Sequence, residues 1–261
     1  MKILHVISSI DISTGGPARS STNLIIFLLK KYKNIILRLT TLKTEKPIIN
    51  KLKFDNSDIV FLKKIQSILA CGLKKHVEGY EVFHAHSIWN PLIHQVLRIA
   101  QNKNKPYILS TRGMLEPWCL SQSKLKKQIA LKLYQIKDLN CASCIHATAL
   151  SEAKNIRALG YTNPIAIVPN GINLNEFPKY RKKSTKIKKL LFLSRIHKKK
   201  GIEFLLYAWH ELDKDLIKNW QIEIVGNGDS GYINELKQLS LKLKLNEIVK
   251  FSEPVFGNEK Y

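Results

Sequence analysis

The sequence predicts an α/β protein with one complete doubly wound domain followed by about half of a second one. Two observations carry this prediction. Short apolar segments typical of buried strands alternate with segments of helical periodicity, and the alternation restarts after a polar stretch. That stretch, residues 178–189, has almost no apolar side chains and is interpreted as an interdomain linker. The first domain is therefore predicted to span residues 1–177 and the second residues 190–261.

The first domain begins with a strand, a glycine-containing loop and a helix. Residues 2–8 are predicted to form a strand, residues 9–20 are rich in Gly, Ser, Thr and Pro, and residues 21–31 have apolar positions at helical density. Further short apolar segments alternate with helices, which favours a parallel sheet covered on both faces. The predicted strands are 35–42, 59–62, 81–85, 107–110, 145–149 and 165–168; helical spacing occurs at 65–73, 91–101, 124–139 and 151–159, the last with Ser151 as N-cap.

The second domain repeats the alternation for a shorter distance. Its predicted strands are 190–194, 221–225 and 248–251, and its predicted helices are 202–212 and 232–243. Three strands and two helices make about half of a doubly wound domain. We therefore expect an open sheet edge in this part of the protein.

The composition is strongly basic, with 43 Lys and Arg against 20 Asp and Glu and a net charge of +23. Such a charge attracts nucleic acid, anionic lipid and phosphorylated substrates alike. Lys, Asn and Ile are all abundant, so composition alone on a solvated surface also explains part of the excess. A nucleic-acid partner is not expected, because zinc-finger, RNP and aromatic-basic patterns are absent from the sequence.

The sequence favours a cytoplasmic protein without a membrane-spanning helix. Its longest apolar runs, 24–29 and 145–150, are far shorter than the ~20 residues that cross a bilayer. The N-terminus lacks the long apolar region and cleavage site of a signal peptide and is predicted to be a first strand. Four cysteines are too few for a disulfide framework; Cys141 and Cys144 are interpreted as small buried residues on a helix, not as metal ligands.

Ligands of doubly wound sheets bind beyond the carboxyl ends of the strands, so the loops that directly follow strands are the candidate sites. In the first of these, Gly15 and Gly16 would let a ligand approach the backbone, and the next helix N-terminus favours an anion. A simple turn is the alternative. The loop is neither a P-loop nor the G-x-G-x-x-G of a dehydrogenase.

A second candidate loop carries His84 and His86, which lie two apart on a predicted strand and therefore face the same side. No third ligand follows nearby, so a metal site is not expected. His84 is predicted to be packed. His86, exposed at the strand end, is predicted to hydrogen-bond a substrate hydroxyl.

Two further loops place cations after strands. Arg112 could hold a phosphate or carboxylate in its guanidinium fork, with a structural ion pair as the alternative. Arg195 and Lys200 follow the first strand of the second domain and would form a diphosphate clamp with the helix N-terminus behind them. A solvated surface is the alternative for this basic run.

Taken together and in this order, the four loops resemble the retaining glycosyltransferases of GT-B fold that are classed as family four, many of which build bacterial surface polysaccharides. The resemblance covers nearly the whole chain. Its segments are 15–16, 84–87, 110–118, 147–152, 168–173 with Phe177, 194–195 with 200–201, 224–228 and 251–260.

The resemblance implies a GT-B-like pair of Rossmann-like domains that transfers a sugar from a nucleotide-diphosphate donor to a glycan or lipid-linked acceptor. It also implies retention of the anomeric configuration and no obligatory metal or other cofactor. Arg195 and Lys200 would neutralise the leaving diphosphate, and His86 would lie near the hydroxyls of the donor sugar. These three residues are the catalytic candidates.

The other candidate residues divide between the two substrates. The donor and diphosphate candidates are Gly15, Gly16 and Gly226, together with Arg195 and Lys200. On the acceptor side the candidates are Arg112, Trp89 and Asn90, whereas Glu152 is expected to be structural.

One feature departs from the family pattern: the pair of glutamates in the later part of its donor domain has no counterpart here. The chain is therefore expected to be truncated in that domain, and a non-catalytic module that binds sugar nucleotides or glycans is the alternative. The basic amphipathic helix at 124–139 predicts contact with an anionic membrane surface at the inner face of the plasma membrane. Its lysines are Lys124, Lys126, Lys127, Lys132 and Lys137.

Overall fold

A computed structural model describes residues 1–48, 59–69, 72–174 and 186–255 of the chain. The chain divides into two units, Met1–Ile172 and Asn173–Tyr261. Some sequence predictions fall outside the described residues, namely those for Phe177, for residues 178–185 of the predicted linker and for residues 256–260.

Unit 1 is built on a parallel sheet of seven strands in the order β3-β2-β1-β4-β5-β6-β7. The chain adds β2 and β3 on one side of β1, then returns to place β4 on the other side. Loops after β1 and β4 therefore leave the sheet at the point where the strand order reverses, which is where doubly wound folds bind ligands. The strands are β1 (Lys2–Ile7), β2 (Ile36–Leu42), β3 (Ile59–Leu62), β4 (Val82–His86), β5 (Tyr107–Ser110), β6 (Cys144–Ala147) and β7 (Ile165–Ile167).

Helices connect these strands and cover the sheet. On α4 the predicted face is largely correct, since Leu92 and Val96 are fully buried and Ile99 packs against the same core. The helices of unit 1 are α1 (Gly16–Lys31), α2 (Lys64–Leu69), α3 (Leu73–Val77), α4 (Pro91–Asn102), α5 (Pro117–Ser121), α6 (Lys124–Ala130), α7 (Ile136–Asn140) and α8 (Leu150–Ala158).

Helix α1 begins five residues earlier than the sequence analysis predicted, at Gly16 instead of residue 21. Pro17 lies in the first turn, where its fixed φ suits a helix and its missing N–H is not needed. Gly15 precedes the helix with φ of 78°, a conformation that favours glycine. The glycine pair therefore forms the helix entry.

Two local predictions near β6 are wrong. Helix α8 starts before Ser151, with Ala149 at the cap position. The carboxylate of Glu152, in the first turn of α8, accepts the backbone N–H of Thr148 at 2.7 Å and so connects the preceding loop to the helix. Cys141 is exposed just after α7, and Cys144 is the first residue of β6, so the C-x-x-C pair does not lie buried on one helix.

The segment predicted as one helix over 124–139 is helical, but it consists of α6 and α7 joined by a π-helical turn at Leu131–Gln135. Its apolar positions do not pack on the sheet. Leu125 is 74% exposed and Leu133 is 75% exposed, and Ile129 and Ile136 are exposed as well. This unit therefore presents an apolar row among lysines to the solvent.

Unit 2 is built on a smaller parallel sheet in the order β10-β9-β8. Its core contains Ile222 and Ile224 of β9, packed with Leu206 and Leu236 of the covering helices. Among the described residues, the outer edge of β8 has no partner strand. The elements are β8 (Lys188–Leu193), α9 (Ile202–Glu211), α10 (Lys214–Ile217), β9 (Trp220–Val225), α11 (Ser230–Lys242) and β10 (Val249–Ser252).

The predicted fold class is confirmed: the protein has one complete doubly wound unit and a second, partial unit of the same type. Within the described ranges, none of the helices combines the length and apolar character needed to cross a bilayer.

Candidate functional site

Four histidines and one serine form a cluster on four neighbouring strands of unit 1. The strand register pairs His5 of β1 with His84 of β4, and Ser110 of β5 with both His86 and His146. The ring centroids of His84 and His86 are 4.1 Å apart, and those of His5 and His86 are 5.3 Å apart. The sheet therefore assembles residues that are far apart in the sequence.

Hydrogen bonds assign the tautomer of His86. Arg112 must donate from Nη2 to Nδ1 of His86, 3.1 Å away, because a guanidinium has no acceptor atom. A neutral His86 then carries its proton on Nε2 and donates it to Nδ1 of His5 at 2.9 Å. The proton of His5 is consequently on its own Nε2, a buried atom without a partner among the described residues.

A second chain of hydrogen bonds orients His84. Nε2 of His146 lies 2.8 Å from the carbonyl oxygen of Val168 and must donate to it, so Nδ1 of His146 is an acceptor. The hydroxyl of Ser110 donates to that Nδ1 at 2.7 Å and accepts from Nε2 of His84 at 2.8 Å. When the rings are neutral, these hydrogen bonds therefore allow one consistent set of proton positions.

Burial keeps the clustered imidazoles neutral near pH 7. Desolvation lowers the pKa of His5 from 6.5 to about 4. It also lowers the pKa of His84 and of His86 well below the usual value, and the neighbouring rings and the Arg112 cation act in the same direction.

The prediction that His86 is the exposed member of the pair is wrong. His86 is 0% exposed and His84 is 9% exposed. The physical reason is the position of β4 in the middle of the sheet, where His5 from β1 and Arg112 from the loop after β5 cover the ring. Both ring nitrogens of His86 are already hydrogen-bonded inside unit 1. Its predicted contact with a donor sugar stays a prediction.

A third possible metal ligand, the imidazole of His5, lies beside His84 and His86, although none was expected from the sequence. One ligand atom from each of the three lies within 4.8 Å of the others, and neutral imidazoles are good ligands. A metal would need a bare nitrogen on His86, but Arg112 occupies Nδ1 and thereby places the proton on Nε2. Metal-bound histidines normally donate their other N–H to an acceptor. The arrangement favours a hydrogen-bonded cluster.

Arg112 lies in a backbone conformation that is unusual for its residue type, with φ of 54°, and Gly113 follows with φ of 69°. Its Nη1 donates to Oδ1 of Asn170 at 2.5 Å. The Nε atom is buried without a partner among the described residues, and burial lowers the pKa of the guanidinium. The structure does not support a structural ion pair at Arg112, because no carboxylate oxygen of the described residues lies within 4.0 Å of its guanidinium nitrogens.

Glu152 holds the loop of Arg112 in place, as expected for a structural residue. Its Oε1 accepts from the Thr111 hydroxyl and from the Gly113 backbone N–H, each at 2.5 Å. Its Oε2 accepts from the backbone and the hydroxyl of Thr148, at 2.7 and 2.8 Å. These four bonds outweigh the effect of burial and lower the pKa of Glu152.

Trp89 and Asn90 connect the end of β4 to α4. The Asn90 side chain accepts from the backbone of Leu92 at 2.9 Å, so it serves as the N-cap of α4. Trp89 has φ of 69° and donates its backbone N–H to Gln135 in the π-helical turn at 2.9 Å. Among the described residues, Nε1 of Trp89 and Nε2 of Gln135 are buried donors without acceptors.

In unit 2 the loops after β8 and β9 lie against each other. Ile196 donates its backbone N–H to Asn227 at 2.8 Å. A Cβ atom on Gly226, whose φ is 159°, would come within 1.8 Å of the Ser194 carbonyl oxygen, so only glycine fits there. Arg195 extends from this junction and is exposed.

Lys200 ends a short 3₁₀ turn, Lys198–Lys200, and Gly201 then leads into α9. Lys200 is exposed, and within the described part of the chain neither it nor Arg195 forms an ion pair. Both candidate cations therefore lie in the loop between β8 and α9, with Lys200 two residues before the helix begins.

The predicted residues thus fall into two groups, one in each unit. His86, Arg112, Trp89 and Asn90 lie in loops or strand ends of unit 1, as do Gly15 and Gly16, and the other group is Arg195, Lys200 and Gly226. His5, Ser110 and His146 were missed because each is an isolated residue within an otherwise mainly apolar strand. Their signal was available: each lies in a strand predicted to be parallel to that of His84 and His86.

Two family models match the sequence. The model described as Glycosyltransferase Family 4 matches residues 43–176, and the model described as Glycosyl transferases group 1 matches residues 175–258. Among curated protein sequences, none is significantly similar to this chain.

Solved structures with a similar fold include several sugar-processing enzymes. HepE from Anabaena, in complex with UDP and glucose, is 18% identical with a TM-score of 0.67, over 98% of this chain and 70% of that one. Sucrose-phosphate synthase from Thermosynechococcus elongatus is 16% identical with a TM-score of 0.65, over 99% and 72%. The lipopolysaccharide outer core galactosyltransferase WaaB in its apo form is 14% identical with a TM-score of 0.65, over 100% and 70%.

Proposed function

The chain belongs to Glycosyltransferase Family 4, and on this premise we propose that it transfers a sugar from a nucleotide-diphosphate donor to a glycan or lipid-linked acceptor. The reaction retains the anomeric configuration and requires no metal. HepE, which shares the fold, is a complex with UDP and glucose, and this supports a nucleotide sugar as the donor class. WaaB, a lipopolysaccharide galactosyltransferase, supports an acceptor in surface polysaccharide synthesis and a hexosyl donor.

The observation that carries the proposal is the pair of exposed cations in the loop that leads into α9, neither of which forms an ion pair with a described residue. Negative charge on the leaving diphosphate grows as the bond to the sugar breaks, so cations placed there stabilise the transition state more than the bound substrate. Arg195 and Lys200 are free of carboxylate partners in the described residues, which leaves their charge available. The positive end of α9 adds to the same field.

The loop of Arg195 is held in place by the loop that follows β9. Gly226 and Gly228 pack against it, where a Cβ atom would come within 2.1 Å or less of a backbone oxygen. The two loops therefore form a compact junction that fixes the backbone at Arg195. In unit 1, Gly15 and Gly16 have open space around the position of a Cβ atom, so a ligand could approach the backbone of that loop closely.

The proposal is tested by mixing the purified chain with a panel of sugar nucleotides and measuring both binding and turnover. We expect Arg195→Gln and Lys200→Gln each to weaken UDP binding by about tenfold or more, since each removes a charge-assisted bond. Lys218→Gln, which removes an exposed lysine from the same unit, should change it less than about twofold.

Each result has a distinct meaning. Turnover supports the enzyme, whereas binding without turnover supports the alternative, a non-catalytic module that binds sugar nucleotides. Equal effects of all three substitutions would contradict the diphosphate clamp and leave only the general attraction of a basic protein for anions.

We further propose that the protein works at the cytoplasmic face of the plasma membrane, where lipid-linked acceptors are found. The row of Leu125, Ile129, Leu133 and Ile136 is exposed along α6 and α7, and lysines at 124, 126, 132 and 137 accompany it. Such a surface binds anionic lipid through buried apolar area and charge together.

Vesicle binding tests this surface. Leu125→Ser and Leu133→Ser should each reduce binding to phosphatidylglycerol vesicles several-fold at low salt, because each removes an apolar side chain from the lipid contact. Leu216→Ser, which changes a leucine that is 70% exposed in unit 2, is the matched control. Equal binding to anionic and neutral vesicles would refute the membrane proposal.

A further inference from the structure

We propose that Arg112 binds a phosphate group of the substrate, and that His86 positions Arg112 by accepting a hydrogen bond from its guanidinium instead of contacting the sugar. This inference rests on the proposed function for the identity of the substrate. It changes the roles of two residues, since the anion would meet the guanidinium while the imidazole serves as its support.

The first argument is the set of partners of Arg112. Its Nη1 donates to the amide oxygen of Asn170 and its Nη2 to a neutral imidazole, while Nε is buried with no partner in the described residues. A partly buried cation with neutral partners lacks the carboxylate that normally compensates it. Phosphate and carboxylate match the fork of a guanidinium, so an oxyanion completes this arrangement.

The nearest acid in the network does not supply that anion. Glu152 attracts the Arg112 charge at longer range, but its oxygens accept from Thr111, Gly113 and Thr148. All four of its hydrogen bonds go to the loops and none goes to the guanidinium. Glu152 therefore fixes the backbone on both sides of Arg112, and no carboxylate of the described residues pairs with the cation.

The second argument concerns His86. Its side chain is fully buried, Nδ1 accepts from Arg112 and Nε2 donates to His5. A sugar hydroxyl would have to displace one of these partners. Asn170, which holds the other side of the guanidinium, is exposed, so Arg112 has the buried imidazole on one side and a surface residue on the other.

The third argument is preorganisation. Arg112 has a positive φ that costs free energy for a residue with a side chain, and such conformations persist where the surroundings enforce them. The bonds of Glu152 to the residues immediately before and after Arg112 supply this enforcement. A guanidinium whose backbone, Nη1 and Nη2 are all fixed before binding loses little freedom when an anion arrives.

Calorimetry of the full 261-residue chain in about 150 mM salt tests anion binding, because salt screens the general attraction of a basic surface. The probes are inorganic phosphate, UDP and monomeric octyl phosphate, which stands for a lipid phosphate. Arg112→Gln should weaken the binding of at least one probe about tenfold or more. Arg112→Lys keeps the charge but loses the fork of the guanidinium, so its loss of affinity should be smaller. Arg98→Gln, an exposed arginine of α4, is matched in charge and should change each by less than about twofold.

The probes distinguish the source of the phosphate. Loss of octyl phosphate binding with UDP binding intact assigns Arg112 to a phosphorylated acceptor, and loss of UDP binding assigns it to the donor diphosphate. If Arg112→Gln and Arg98→Gln behave alike with every probe, the inference is overturned. Arg195→Gln measured in parallel separates the two proposals, since its loss of UDP binding would still support the proposed function.

The positioning role of His86 has its own readout. Two-bond ¹H–¹⁵N spectra of the unmodified protein should show the Nε2–H tautomer for His86 and His5, and an Nδ1–H tautomer for His86 would overturn the role. His5→Asn offers an amide oxygen in place of Nδ1 and should keep the tautomer and the phosphate affinity. His5→Leu removes the acceptor and should weaken phosphate binding several-fold; wild-type affinity in this variant would refute the support of Arg112 through His86.

Discussion

Acidification is predicted to destabilise unit 1, because this unit buries three histidines as neutral imidazoles. Burial lowers the pKa of His5 from 6.5 to about 4. Since the folded pKa lies below the unfolded one, the unfolded chain takes up its proton first, and stability that is complete above pH 6.5 is lost as the pH falls towards 4. From these two values, His5 alone removes about 2 kcal/mol at pH 5 and about 3 kcal/mol at pH 4.

His84 and His86 act in the same direction, because burial and the adjacent Arg112 charge lower their pKa values well below the usual value. Domains are typically stable by about 5–15 kcal/mol, so the His5 contribution alone is a measurable share. The effect of the histidines can be measured separately between pH 5 and 6.5. The carboxylates that gain hydrogen bonds on folding, such as Glu152, have lowered pKa values and titrate below this pH range.

The assay is urea unfolding at several pH values, followed by hydrogen exchange of peptides from β1 and β4 so that unit 1 is read separately. The unfolding free energy of the wild type should fall steadily from pH 6.5 to 5. In His5→Asn the slope should decrease by up to about 1.4 kcal/mol per pH unit, because one titrating group is gone. A flat profile in the wild type, or equal slopes in the two proteins, would refute the reasoning.

Four substitutions, at Glu152, Gly15, Gly16 and Gly226, test the framework around the sites. Glu152→Gln should lower the stability of unit 1 by about 2–3 kcal/mol in urea unfolding, because an amide cannot accept all four hydrogen bonds; the exposed Glu45→Gln should leave it unchanged. Gly15→Ala should lower the stability of unit 1 by about 1–2 kcal/mol, because Gly15 has a positive φ. Gly16→Ala should fold normally, because Gly16 lies in a helix and has open space around the position of a Cβ atom. A loss of UDP binding in Gly16→Ala would therefore indicate that the ligand approaches this residue closely. Gly226→Ala should destabilise unit 2 by about 3 kcal/mol or more, since its Cβ atom would collide with a backbone oxygen of the neighbouring loop; a normal thermal melting temperature would contradict the packing of these loops.

Local periodicity predicted most of the elements, because the pattern of apolar residues that is typical of a strand or a helix is contained within a few residues. The strand at 107–110 is found with the predicted bounds, as is the one at 59–62. The start of α1 was missed because the glycine and proline residues of its first turn were interpreted as part of a loop, although proline suits a first helical turn. The sequence predicted an apolar face along α6 and α7, but periodicity does not show whether the rest of the chain covers such a face, and the structure leaves it exposed.

What the sequence by itself determined is therefore the fold class, the order of the elements and the loops that carry Arg112, Arg195 and Lys200. Only the tertiary structure decided that His5 and His86, 81 residues apart, share a hydrogen bond. It also decided that His86 is buried and that Arg112 lies against it. The physical reason is that strand pairing joins residues by register across the sheet, and both burial and pKa depend on those neighbours, which no local pattern encodes.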